Sequence, residues 1–450
     1  MQPSTNNFAS ADSVDRRVLE IRGGTPLNGE VSLSGAKNAA LPAIVAACLS
    51  EEPTELSNVP TELNDIKLLI ELLKKAGATI TEPQKHILVC SGWGWRGGLI
   101  DEGASQLRHS LLLLGAAAHW RSPLTLPLPG GCKLGSRKHD LHVTALESLG
   151  FDLTENVESL QLGSHKLSQD RVITFHYPTF GGTLNVLFAA CTLDGVTLLH
   201  NPARNPEVLD VIALLCSMGA RISWKAPDVL KIVGVANLQG TRHRVISDRI
   251  IASTLIAAAG ITQGNIFIRN AAGDVLVAEI AAWQRAGLSI ESSPEGVHAR
   301  FTQKLKATDI ETGAYPEFHT DIQPFHAVMM LLAEGSSRIK ETILDGRFRY
   351  ADELSKMGAD LSVEKGNFNC VNGAPGQILR IHGSDKLYGA DVVATDIRGG
   401  AAVAVAALAA EGVSTISNLY QLERGYGSFV ETFRALGAEL DIKVPHLNRG

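Results

Sequence analysis

The sequence predicts an α/β fold in which one helix–strand–helix–strand unit occurs six times, shared between two domains of three units each. Three observations carry this expectation. A helix-ending phrase of apolar residue, Gly and apolar residue recurs six times, roughly seventy residues apart. An Ala-rich apolar helix precedes each phrase. The length of 450 residues suits two domains, or three, with full cores.

Taken in order, the phrases are Lys75-Ala-Gly77-Ala-Thr-Ile80, Ser148-Leu-Gly150-Phe-Asp-Leu153 and Ser217-Met-Gly219-Ala-Arg-Ile222 in the first half. In the second half they are Arg285-Ala-Gly287-Leu-Ser-Ile290, Lys356-Met-Gly358-Ala-Asp-Leu361 and Ala435-Leu-Gly437-Ala-Glu-Leu440. Each Gly follows a periodic apolar helix, so it is expected just past the helix end in the left-handed conformation, with a strand beginning after it. The Ala-rich helices are expected over 39–49, 110–119, 184–190, 252–259, 325–333 and 401–410. Small residues make them apolar on most faces, so they should be buried, with the strands outside or between them. A polar break at 239–247 separates the two sets of three. Residues 1–17 are polar and read as a disordered lead-in to a cytoplasmic protein, with no signal-peptide pattern.

Composition narrows the function classes. Forty-one Lys+Arg against 47 Asp+Glu give a formal charge of -6, which argues against broad nucleic-acid binding. No apolar run approaches the roughly 20 residues that span a bilayer. The six cysteines (Cys48, Cys90, Cys132, Cys191, Cys216, Cys370) show no spacing suited to zinc. Cys48, Cys191 and Cys216 sit in apolar helical runs and read as core thiols. Cys132 differs, lying in Pro127-Leu-Pro-Gly-Gly-Cys-Lys-Leu-Gly-Ser-Arg137. Glycines there let a backbone approach a ligand, Lys133 and Arg137 can grip an anion, and both favour the thiolate. The segment reads either as a reactive lid or as a Gly-rich surface turn.

Charged residues also recur where the Ala-rich helices begin: Lys37, Arg108, Asp248-Arg249, Thr320-Asp321 and Arg398. Helix N-termini already favour anions, so helices pointing one way would gather these charges at one cleft. Gly92-Trp-Gly94-Trp-Arg-Gly97 has dinucleotide-loop spacing, but its two Trp would obstruct a pyrophosphate.

With the repeat, the Cys132 loop, Leu33-Ser-Gly-Ala-Lys37-Asn38, Thr320-Asp321, Ala394-Thr-Asp-Ile-Arg398 and Arg424-Gly-Tyr426 together, the chain resembles the enolpyruvyl transferases. The likeness runs from about Leu19 to Leu440 and favours the branch that uses uridine nucleotides over the shikimate-phosphate branch. The resemblance implies an inside-out α/β barrel fold with six βαβαββ repeats, three per domain. One domain would be discontinuous, 18–36 plus 247–450, and the other would be 37–246 with the Cys132 lid. It implies transfer of the enolpyruvyl group of phosphoenolpyruvate to the 3-hydroxyl of UDP-N-acetylglucosamine by addition–elimination, with no metal or cofactor, in cell-wall precursor synthesis. The alternative is a paralogue acting on another uridine nucleotide such as UMP, in nucleoside-antibiotic synthesis. A non-catalytic scaffold would leave gaps among the cations, and none is seen in the sequence.

Carried over residue by residue, Lys37, Arg108, Arg137 and Arg424 would hold the phosphate and carboxylate of phosphoenolpyruvate, with Arg347 and Arg398 nearby. Asp321 would take the proton of the attacking hydroxyl, and Cys132 would be the acid or adduct-forming nucleophile. Asn38 would sit near the intermediate. Asp140, Leu141, Thr179 and Gly181 would contact uridine and diphosphate, and Ile343 the sugar. The departures from the family pattern fall mainly on the acceptor side: Lys138-His139, Thr179-Phe180-Gly181-Gly182, Ile251, Gln323-Pro-Phe and Asp345-Gly346.

Overall fold

Ala- and Val-rich helices with no polar face can only be satisfied inside a core, and that is where they lie. The computed structural model describes residues 16–444 other than 93, 101, 129–138 and 167–169. The helices Lys37–Ala47, Leu112–His119, Phe180–Ala190, Arg249–Ile261, Gln323–Met330 and Ile397–Ala409 are buried along nearly their whole lengths. In the second half of the chain the last three pack on one another; in the first half the first and third both pack on Leu112–His119. Amphipathic helices such as Asn64–Lys75 bury one stripe only: Ile66, Leu69, Leu72 and Leu73.

Six four-stranded sheets lie among the described residues. Each has one parallel pair at an edge, followed by two antiparallel pairings. The N-terminal strand Val18–Arg22 sits between Val413–Ser417 and Glu439–Lys443, with Leu19 opposite both Ile416 and Ile442. Asn28–Ser32 pairs in parallel with Asn265–Arg269. In return, Arg242–Arg244 pairs with Thr54–Ser57. The apolar side chains accordingly form two clusters. One draws on Leu19 to Leu33 and Ile250 to Leu440; the other runs from Ala36 to Val245.

The six repeat glycines have φ of 102°, 94°, 96°, 102°, 84° and 95° in chain order. At the first, Gly77 N donates to Lys74 O and Ala78 N to Leu73 O, closing the helix with paired end bonds. A side chain at such a φ would be strained, which explains the invariance of Gly across the six phrases.

Two expectations need correction. The helices begin earlier than their apolar runs: Lys37 and Arg249 are already in the first turn, and Arg108 opens a 3-10 turn, Arg108–Leu111, ahead of the second. Cys216 is exposed rather than a core thiol, because it falls on the outward face of Pro206–Ser217. Residues 1–15 of the lead-in lie outside the described residues. Among those described, no helix is long and apolar enough to cross a membrane.

Candidate active site

The segments that join the two clusters cross side by side, and the site is built where they cross. Ala36 N donates to Ile246 O at 2.7 Å and Asp248 N to Ser34 O at 3.1 Å. Asp248 caps Arg249–Ile261, accepting from Ile250 N at 2.8 Å and Ile251 N at 3.1 Å. Its other oxygen takes Lys37 N at 3.2 Å. One carboxylate thus holds two helix starts together. Asp396 caps Ile397–Ala409 in the same way, through Arg398 N and Gly399 N. The recurrent Asp at two helix starts is therefore a cap.

The cations converge, each on a carboxylate. Lys37 Nζ lies 3.0 Å from Asp65 Oδ2, and Arg424 Nε lies 3.1 Å from Asp65 Oδ1. Burial pushes the Lys37 pKa down, Asp65 opposes this, and Arg398 and Arg424 add to the fall. Burial works against the Asp65 charge too, but Lys37 and Arg424 outweigh it and hold its pKa below the usual carboxylate range. Asp321 pairs with Arg347 Nη2 at 2.9 Å and Arg398 Nε at 3.5 Å. Arg347 Nη1 also lies 3.5 Å from Asp396. Arg398 has a guanidinium nitrogen, Nη1, that is buried with no hydrogen-bond partner among the described residues. Burial opposes the Arg398 charge, but Tyr426, Asp321 and Asp248 outweigh it and raise its pKa.

Beside this cluster is a cavity of ≈ 290 Å³ lined by Asn38, Arg108, Thr179, Gly181 and Asp321 of the predicted residues. His109, His142, Phe180, Glu207, Arg249 and His319 also line it. Thr179 caps Phe180–Ala190, accepting from Gly182 N at 3.4 Å. Gly181 is required by its neighbour: a Cβ there would stand 2.2 Å from His142 Cε1. His142 Nδ1 takes a hydrogen bond from Asn185 Nδ2 at 2.9 Å, and burial lowers the His142 pKa to about 3. Arg249 and Glu207 form a buried two-point pair, Nε–Oε1 at 2.8 Å and Nη2–Oε2 at 3.4 Å.

The structure thus brings together Lys37, Arg424, Asp321, Arg347 and Arg398 in ion pairs, and Asn38, Arg108, Thr179 and Gly181 around the cavity. Asp140, at the start of Asp140–Ser148, is exposed, and Leu141 is half-buried; both stand outside the cavity lining. Ile343 also stands outside it, its backbone N held at 2.9 Å by buried Glu341 Oε1. Cys132 and Arg137 lie outside the described residues, as do Lys133 and Lys138. Sequence reasoning missed Asp65, which looked like any acidic residue in a helix's first turn. It also missed His109, His319 and Glu207, for which no spacing signal exists; His142 was noted only as part of the Asp140-Leu-His142 motif, with no role given. The Gly92–Gly97 stretch leads into the short strand Gly98–Leu99, not the helix a dinucleotide loop requires.

Comparison with known proteins gives one consistent result. A family model described as EPSP synthase (3-phosphoshikimate 1-carboxyvinyltransferase) matches residues 21–433. The chain is 36% identical over 420 residues to a UDP-N-acetylglucosamine 1-carboxyvinyltransferase of Halothermothrix orenii, covering 93% of this chain and 98% of the relative. It is 38% identical over 421 residues to UDP-N-acetylglucosamine 1-carboxyvinyltransferase 3 of Caldanaerobacter subterraneus, with 93% and 98% covered. Among solved structures, the enolpyruvyl transferase NikO from Streptomyces tendae superposes with a TM-score of 0.84. Its sequence identity is 24%, with 96% of this chain and 99% of that one covered.

Proposed function

The chain belongs to the EPSP synthase family of enolpyruvyl (carboxyvinyl) transferases, and on that premise we propose that it transfers the enolpyruvyl group of phosphoenolpyruvate to the 3-hydroxyl of UDP-N-acetylglucosamine, releasing phosphate. The observation that carries the reading is the pairing of two charge groups beside one cavity. Lys37 and Arg424 share Asp65, while Asp321 is held between Arg347 and Arg398. The first group, with Arg398 and its Nη1, which has no hydrogen-bond partner among the described residues, suits a dianionic phosphate and a carboxylate. Asp321, on the cavity wall, suits the removal of a proton from a hydroxyl held there.

In this reading the acceptor oxygen bonds to C2 of phosphoenolpyruvate as Asp321 takes its proton, and C3 gains a proton. The tetrahedral adduct then loses a C3 proton and expels phosphate, restoring the double bond. The cations neutralise the growing and departing negative charge, and Asn38 and Arg108 border the acceptor. Cys132, as acid or adduct-forming nucleophile, and Arg137, as a phosphate ligand, complete the set from sequence alone. Thr179 and Gly181 are assigned to the diphosphate, Asp140 and Leu141 to uridine, and the Ile343 backbone to the sugar. The reading carries a cytoplasmic setting with it. The fold reading is an inside-out α/β barrel of six βαβαββ units, with domains at 18–36 plus 247–450 and 37–246. The two apolar clusters and the six sheets with buried helices support it.

A second acceptor, UMP, is favoured by one observation. Phe180 stands edge-on to His109, ring centroids 6.2 Å apart, and both line the cavity where the acceptor would lie. Phosphate release from phosphoenolpyruvate, measured with UDP-N-acetylglucosamine and UMP side by side, decides between them. Turnover with UMP alone overturns the first acceptor; no turnover with either overturns the reaction.

A further inference from the structure

Two residues before Asp321, His319 is anchored through three of its polar groups. Its backbone N donates to Glu279 Oε1 at 3.0 Å, and its carbonyl accepts from Ile322 N and Gln323 N. Its ring Nδ1 accepts from Asp321 N at 3.1 Å. A backbone N–H can only donate, so Nδ1 carries no proton. Burial is the main cause that lowers the His319 pKa to about 4; Arg249 pushes the same way, while Asp321 and Glu207 push back. Near neutral pH the ring is uncharged and its one proton must sit on Nε2. Nε2 has no hydrogen-bond partner among the described residues, and His319 lines the cavity beside Asp321. The other charged groups near it are already matched: Arg249 holds Glu207, and Arg347 and Arg398 hold Asp321.

We propose that His319 is a specificity-determining residue whose Nε2–H donates to the neutral acceptor oxygen adjacent to the hydroxyl that Asp321 deprotonates. In a sugar attacked at O3 and bearing a 2-acetamido group, that oxygen is the acetamido carbonyl. A neutral N–H suits a carbonyl, whereas a charged imidazolium would compete with Arg347 and Arg398 for the Asp321 carboxylate. The inference rests on the acceptor reading above. It also gives the bond between Asp321 N and the ring a purpose, because that bond fixes which nitrogen meets the ligand.

His319→Asn tests it. The Asn Oδ1 can still accept from Asp321 N as Nδ1 does, but nothing replaces Nε2. His319→Gln reverses the exchange, since its amide nitrogen reaches the Nε2 position. The expected result is an acceptor KM about tenfold higher in the Asn variant, the loss of one hydrogen bond to a site built for it. The KM for phosphoenolpyruvate should stay within twofold, kcat should fall less than the acceptor KM rises, and Gln should restore the acceptor KM. The penalty should vanish with a UDP-2-deoxyglucose acceptor, which has no oxygen substituent at C2. An acceptor KM unchanged in the Asn variant, a parallel rise for both substrates, or an equal penalty with UDP-2-deoxyglucose overturns the proposal. A wild type that neither binds nor turns over UDP-N-acetylglucosamine overturns the acceptor reading and this inference with it. Normal wild-type turnover with an indifferent Asn variant overturns the inference alone.

Discussion

Replacing Asp65 with Asn should destabilise the protein and make its stability respond to phosphate. Lys37 and Arg424 are only 6% and 9% exposed at their side chains, and both pair with this carboxylate, Arg424 also donating Nη2 to Gln106 O at 3.4 Å. Removing one partner of a buried ion pair costs about 3–5 kcal/mol, because the remaining charge is left without compensation. Lys37 and Arg424 both lose their carboxylate here, so about 3 kcal/mol is the scale of the expectation. The cost should depend on pH through Lys37. Burial already holds its pKa below the ordinary 10.5, and Asp65 is the partner that raises it. Without Asp65 that pKa falls further, and the unfolded chain then binds the proton more tightly than the folded one. Stability therefore rises with pH between the depressed folded-state pKa and 10.5, and the penalty shrinks across that window.

Urea denaturation of wild type and Asp65→Asn, with and without inorganic phosphate, checks this. Phosphate at ten times its dissociation constant stabilises a folded protein by about 1.4 kcal/mol. The variant, in which Lys37 and Arg424 have lost the Asp65 carboxylate, should gain more from phosphate than wild type does. Equal midpoints for the two proteins at pH 7.5, or equal gains from phosphate, would show that Asp65 is not what holds Lys37 and Arg424.

Three other outcomes are expected. Gly181→Ala drives a Cβ to within 2.2 Å of the His142 ring, which is tied to Asn185; the variant should lose acceptor affinity and about 1–3 kcal/mol of stability, read by acceptor KM and denaturation together. His119, His142, His319 and His326 are buried with pKa values near 4, 3, 4 and 4, so below pH 6.5 the unfolded chain binds protons that the folded chain refuses. Each should remove about 1.4 kcal/mol at pH 5.5, a total of about 5.5 kcal/mol relative to pH 7.5, and a flat profile over that range contradicts it. Cys132→Ser should lose most turnover near neutral pH and resist alkylation by the epoxide fosfomycin. Cys216, on the surface of its helix, is the control, since partial desolvation of its thiol raises the pKa and makes it a poor nucleophile.

What was legible in the sequence follows from what repeats. Six glycines forced into positive φ by helix ends leave a periodic mark, and Ala-rich helices announce burial by lacking a polar face. Lys37, Arg398 and Arg424 were visible because cations at buried helix starts or in family motifs have no packing reason to be there. Asp65 was not visible, because an acidic residue in a first turn is the commonest of helix features. Only the fold shows that its carboxylate turns inward to two cations, one of them 359 residues away in sequence. The roles of His319 and His142 were invisible for a related reason. What makes each ring informative is the single donor that pins Nδ1, and that is a three-dimensional fact.

The arrangement of charges also ties the proposed site to the stability of the fold. Several carboxylates around the proposed phosphoenolpyruvate cations serve a second structural purpose. Asp65 joins Arg424 of one apolar cluster's chain to Lys37 of the other's, Asp396 caps a helix while facing Arg347, and Asp248 caps one helix while holding the start of another. Changing any of these carboxylates would disturb stability as well as binding. In the proposed reading Phe180, half-buried at the cavity, belongs to the acceptor side, where most departures from the family pattern were read in the sequence. In that reading His319, held by backbone bonds that do not depend on the acceptor, is the fixed point against which changes at Phe180 would be read.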